Sequence, residues 1–148
     1  MMSAVPLNPV EQNELVERIT AGLVAGLPEG WQRLVMDYVN IGRYVSVASG
    51  VMVSDGSIQQ WEPPTTVAPL FHELRHGMYM PGRGTWYSME LIIDPPAMYS
   101  VRYNRTDPPP LPQPPPAGEF ALDLERYPRA AEEVPGWFAA QVPGPARS

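Results

Sequence analysis

Residues 108–116 read PPPLPQPPP, with seven prolines in nine positions. Proline locks φ near −65° and has no amide hydrogen to donate, so this run belongs to neither a helix nor an interior strand. It is expected to be polyproline II, about 28 Å long at ~3.1 Å per residue. It separates a longer body from a C-terminal piece that must fold back onto it or hang free.

The body opens with a helix. Asn8 is placed to cap it, Pro9 suits the first helical position, and Glu11 stands three residues after Asn8, as in a capping box. Leu15, Ile19 and Leu23 recur every four residues, with Val16 and Val24 beside them, so one face is apolar. Gly26 and Pro28 end it. The period then shortens. Residues 31–39 and 43–53 are rich in Val, Tyr and Met with polar alternation, and read as strands broken at Asn40, Ile41 and Gly42. The turn at 54–57 (SDGS) sends 58–61 back as a further strand. Glu62-Pro63-Pro64 stops the sheet, and Thr65 or Thr66 is placed to cap a second helix running to about Tyr79.

Residues 85–93 and 99–104 predict a hairpin whose register follows from both faces. A five-residue loop, 94–98, pairs residues whose numbers sum to 192. Ile93 then meets Tyr99, Leu91 meets Val101 and Met89 meets Tyr103 on one side, while Glu90 meets Arg102 on the other. A slip of one residue spoils both faces at once. Beyond the prolines, Phe120, Leu122 and Leu124 alternate, which predicts a short strand or an extended docking segment. A short helix around 129–133 and an aromatic anchor at Trp137-Phe138 follow. The order predicts an α+β fold in a single domain, 1–138. An antiparallel meander and a later hairpin carry an N-terminal and a middle helix, with a proline-rich loop at 107–117 and a flexible tail at 139–148.

Composition excludes several functions. The 148 residues contain no Cys, which removes disulfides, thiolate metal sites and a cysteine nucleophile. All ten basic residues are Arg, so lysine chemistry is absent too. A net charge of −6 argues against a phosphate-binding surface, so no nucleic-acid partner is expected. No apolar run is long enough to span a membrane, and the N-terminus lacks the pattern of a signal peptide. No membrane partner is expected, and the chain reads as cytoplasmic.

One motif carries potential chemistry. His72-Glu73-Leu74-Arg75-His76 matches H-E-x-x-H on an expected helix. Positions i and i+4 lie on one helix face, so His72 and His76 are placed to share a zinc ion, with Glu73 as general base. Against this, the chain has no third His, and the third ligand would have to be Glu90, Glu119 or Asp123. The apolar stripe Val67, Leu70, Phe71, Leu74 and Met78 turns both histidines toward solvent, roughly 100–160° from its centre. The favoured reading is two surface histidines flanking a surface glutamate, with no metal and no cofactor. PPPLPQPPP also has PxxP spacing suited to an aromatic groove, against the plainer role of a rigid connection. There is no phosphate loop, no G-x-S-x-G and no paired-carboxylate signature.

The linear order of motifs resembles the YezG-like immunity proteins of bacterial polymorphic toxin systems, particularly their actinobacterial relatives. An N-terminal helix runs into Pro28-Glu29-Gly30-Trp31 and a meander. Leu74-Arg75 follows, then MYMPGRGTWYS (78–88), a hairpin leading to Asp107-Pro108, DLERYPR (123–129) and VPGW (134–137). GRGTWYS and DLERYPR are the most specific stretches. The resemblance spans residues 10 to 138. It implies an antitoxin that binds the toxic domain of a cognate effector, a nuclease or an NAD-degrading enzyme, and blocks it without chemistry of its own. It also implies that the H-E-x-x-H match is a coincidence, and the proline-rich insertion departs from a compact version of the pattern. An acidic inhibitor would be steered toward a basic nuclease. The expected contact surface is the sheet edge and loops carrying Asp55, Glu62, Arg83, Trp86 and Asp107. The alternatives are a small zinc hydrolase using His72, Glu73 and His76, and a binding module acting through PPPLPQPPP.

Overall fold

The first helix, α1 (Pro9–Ala25), starts where its capping box requires. The Asn8 side chain accepts from the Glu11 amide at 2.8 Å, and the Glu11 carboxylate accepts from the Asn8 amide at 3.0 Å. The computed structural model describes residues 6–142. After α1 the chain forms β1 (Arg33–Ile41), β2 (Tyr44–Met52) and β3 (Ile58–Gln60), then a 3-10 turn (Thr65–Val67) and α2 (Ala68–Gly77). Next come β4 (Ser88–Asp94), β5 (Met98–Asn104), α3 (Ala117–Arg126), a 3-10 turn (Ala131–Glu133) and α4 (Gly136–Ala139). The strands form one five-stranded antiparallel sheet in the order β3-β2-β1-β4-β5, so the fold is α+β.

The β4–β5 register is the expected one. Ile93 faces Tyr99, Leu91 faces Val101, Met89 faces Tyr103 and Glu90 faces Arg102. Pairing extends one step further, to Asp94 and Met98, so the loop shrinks to residues 95–97. One sheet face carries Leu34, Met36, Tyr38, Val51, Met89, Leu91 and Ile93, which pack against Leu15, Val16, Ile19 and Leu23 of α1 and Phe71 and Leu74 of α2. This is the main core. Phe71 lies flat on Tyr38, with ring centroids 4.3 Å apart.

The boundaries differ from expectation in three places, each for a local reason. β1 runs on through Asn40 and Ile41, because Gly42 adopts φ +60° and completes a two-residue turn with Arg43. That conformation at the first turn position suits glycine. α2 begins at Ala68 with no side-chain cap from either threonine; the 3-10 turn feeds it and Pro69 stands in its first turn. β4 begins at Ser88, because Thr85 and Trp86 are occupied in holding α2: the Thr85 hydroxyl donates to the Arg75 carbonyl at 2.7 Å, and Arg75 Nε donates to the Trp86 carbonyl at 2.7 Å.

The largest correction concerns the C-terminal piece. Residues 117–126 form the helix α3, where alternation predicts a strand or extended segment. Phe120 and Leu124 are also four apart, and it is this helical spacing that the structure uses, with Phe120 and Asp123 buried on one side. Phe120 joins Ile41, Tyr87 and Phe138 in a second, smaller core beside the β1–β2 turn. The proline run is neither helix nor strand. It reaches β2, where the Tyr44 hydroxyl donates to the Gln113 carbonyl at 3.5 Å, and Pro115 is buried. Of the expected tail, residues 139–142 turn back, with Val142 packed on the second core; residues 143–148 lie outside the described residues.

Candidate functional site

The chemistry-bearing helix is α2, and its two polar faces meet different fates. Arg75 points inward and is 1% exposed. Its guanidinium donates to Asp123 Oδ1 at 2.7 Å and to Asp123 Oδ2 at 3.0 Å, forming a two-pronged ion pair with a carboxylate that is itself buried. A third bond runs to Asn40 Oδ1 at 3.3 Å, and the Tyr127 ring lies 4.9 Å from the guanidinium carbon. Asp123 Oδ1 also accepts from the Gly42 amide at 2.9 Å. Two buried charges are tolerated only when paired and hydrogen-bonded on nearly every side, which is the arrangement here. This cluster ties α2, α3, the β1–β2 turn and the approach to β4 together. In the sequence Arg75 is a variable position of H-E-x-x-H and Asp123 one of three candidate third ligands; no local pattern pairs the two.

His72, Glu73 and His76 are exposed on the outer side of α2, as expected. The two imidazoles stand 6.4 Å apart by ring centroid. His76 Nδ1 lies 3.4 Å from the Tyr127 hydroxyl. Partial burial, then the charges of His76, Arg126 and Arg75, push His72 below the usual imidazole range. The three carboxylates expected as candidate third ligands are engaged elsewhere. Asp123 is held by Arg75, Glu119 binds Arg43 with Nη2 to Oε2 at 3.0 Å, and Glu90 faces Arg102 at 3.5 Å. The Arg43 contacts hold Glu119 below the ordinary carboxylate range. Among the described residues no group of three His, Cys, Asp or Glu is gathered in a way that could hold a metal ion.

The five residues expected on a contact surface are not brought together. Asp55 sits in the β2–β3 turn, where it caps Ser57, and Glu62 follows β3; Asp107 follows β5, at the opposite edge of the sheet. Arg83 is exposed in the loop between α2 and β4. Trp86 is corrected outright. It is fully buried, edge-on to Tyr38 and tilted against Tyr103, and so belongs to the core.

The motif stretches GRGTWYS and DLERYPR are neighbours in space. Gly82 and Arg83 bridge to Arg129, the Ala130 amide donates to the Gly82 carbonyl at 2.8 Å, and Arg129 Nη2 donates to the Thr85 carbonyl at 2.9 Å. Gly84 has φ +83°, and a Cβ there would collide with the Arg129 guanidinium. Tyr87 lies under Arg129 at 4.6 Å, and burial pushes its hydroxyl up to about 12.

An open concavity lies elsewhere. An open cleft of about 1330 Å³ runs beside β2, between Val45, Val47, Ser49 and Gly50 on one wall and residues 60–68 on the other, with Tyr38 and Phe71 at its base. Asp37 and Glu62 line it, and among the described residues no basic one does. A smaller cleft of about 530 Å³ lies over β4 and β5, walled by residues 102–107 and Pro110. No helix of the described residues is long and apolar enough to cross a membrane. Compared with known proteins, the chain matches no protein-family model and no curated protein.

Proposed function

We propose that this protein is an immunity protein, an antitoxin that binds the toxic domain of a cognate secreted bacterial effector and covers its active site. The observation that carries this reading is the packing of residues 82–88 against 123–129. The stretches that resemble YezG-like immunity proteins are distant in sequence, yet they close on one another through Arg129 and around the Arg75–Asp123 pair. They are therefore the frame of one folded unit, which leaves the exposed surface free to vary with the partner.

Two further features support it. The polar side chains best placed for chemistry are spent on holding the fold: Arg75 and Asp123 are sealed in the interior, and His72 and His76 lack a third ligand among the described residues. The net charge of −6 suits rapid association with a basic enzyme that handles phosphates. The test is co-expression with the toxin domain encoded beside it. Restored growth and a stable complex on a sizing column are expected; no rescue and no complex would overturn the reading.

A further inference from the structure

The edge of the sheet at β2 is mostly uncovered. β3 pairs only with Gly50, Val51 and Met52, leaving residues 44–49 without an outer neighbour among the described residues. Backbone parity shows what this exposes. The Asn40 amide donates to the Tyr87 carbonyl at 2.9 Å, so even-numbered residues of β1 bond toward β4 and odd-numbered ones toward β2. The register pairs Val39 with Ser46 and Asp37 with Ala48, so even-numbered residues of β2 are satisfied by β1. Val45, Val47 and Ser49 therefore aim their N–H and C=O groups off the edge. The Val53 amide, which has the same parity, reaches outward to the Ser57 carbonyl at 3.0 Å. Among the described residues nothing plays that part for Val45, Val47 or Ser49.

β3 cannot be prolonged to cover them. Pro63 and Pro64 lack amide hydrogens and turn the chain toward α2, which opens the cleft beside the bare edge. Val45 and Val47 share the Tyr38 side of the sheet and stand 48% and 40% exposed. Ser49 Oγ is buried in the cleft wall with no hydrogen-bond partner. Edge strands are ordinarily guarded by charge or proline. The outer strand β5 follows that rule, with exposed Arg102 within it and Pro95-Pro96 before it. The uncovered run of β2, VSVAS, has neither.

We propose that residues 45–49 of β2 are the docking site for an extended strand of the partner, which joins the sheet antiparallel or parallel to β2 and lies in the cleft. The inference deepens the neutralisation reading and rests on it for the partner's identity, the toxin domain. The incoming strand places apolar side chains against Val45, Val47 and Phe71, and its alternate residues, which point to the other sheet face, carry a Lys or Arg toward Asp37; neither Asp37 nor Glu62, both on the cleft wall, is in an ion pair among the described residues. Main-chain bonds then supply affinity and the cleft supplies selectivity. A second copy of this chain is the poorer occupant, because it would bring the same acidic groups to the same place.

Hydrogen exchange of the full chain, alone and with the toxin domain, tests this together with Val47→Pro, which deletes one outward amide. Protection of the Val45, Val47 and Ser49 amides on binding is expected, with affinity reduced at least about thirtyfold in Val47→Pro, while Val10→Lys on exposed α1 binds like the parent. Should Val47→Pro fail to fold, Val47→Arg, which sets a charge where an apolar side chain of the incoming strand must pack, is expected to show the same loss. A toxin complex that leaves the three amides unprotected, or that forms equally well with the folded variant, overturns the docking site and leaves the neutralisation reading standing. Failure of the parent chain to bind the toxin domain overturns both. Protection that grows with concentration of the chain alone assigns the edge to a second copy and overturns the proposal.

Discussion

Arg75 and Asp123, separated by 48 residues, form a buried two-pronged ion pair at 2.7 and 3.0 Å that joins the middle helix to α3. Removing one partner strands the other charge in the interior, which costs far more than the pair itself contributes. Asp123→Ala is expected to lower stability by about 3–5 kcal/mol in urea titrations. The double change Arg75→Met with Asp123→Leu should recover much of that loss, since no charge is then left unpaired. A single variant as stable as the parent would show the pair to be incidental.

The two glycines Gly84 and Gly56 separate backbone strain from collision. Both have positive φ, +83° and +86°. At Gly56 a Cβ meets nothing within 4 Å, whereas at Gly84 it strikes Arg129. Gly56→Ala is expected to cost about 1 kcal/mol. Gly84→Ala should cost about 2–3 kcal/mol, because Arg129 must release the Thr85 carbonyl as well. Equal losses in thermal melts would remove Arg129 from the account.

His72 predicts a pH effect of definite sign. Its folded-state pKa lies below the ordinary value of 6.5, chiefly through burial. Below about pH 6.5 the unfolded chain therefore binds more protons at this site than the folded one, and stability falls as the solution is acidified through that range. The contribution is complete above that range and fades as pH drops toward the folded-state value. In His72→Gln the urea midpoint should change less between pH 7 and pH 5 than in the parent; parallel curves would refute this.

The proline run should act on the unfolded state. Pro112 and Pro114 are exposed and lie outside helix and strand. Replacing both with Gly frees the unfolded chain more than the folded one, and should cost about 0.4–1 kcal/mol at each position. Partner binding should be unchanged. Loss of binding with stability intact would return recognition to this segment.

Sequence alone determined the elements whose evidence is local. The capping box at Asn8 and Glu11 sets the start of α1, because both hydrogen bonds close within four residues. The β4–β5 register follows from alternation, since a one-residue slip would turn Leu91 outward and Glu90 inward together. Only the tertiary structure decided the rest. Phe120, Leu122 and Leu124 fit a strand by alternation and a helix by the 120/124 spacing. The choice fell to the helix, because Phe120 had a second core to enter and Asp123 had Arg75 to meet. Trp86 could have faced either way until Tyr38 and Tyr103 closed around it. The bare edge of β2 arises because β3 is cut short by two prolines and, among the described residues, no other strand comes to pair there. Pairings of this kind depend on which distant segments arrive at the same place, and local spacing carries no record of that.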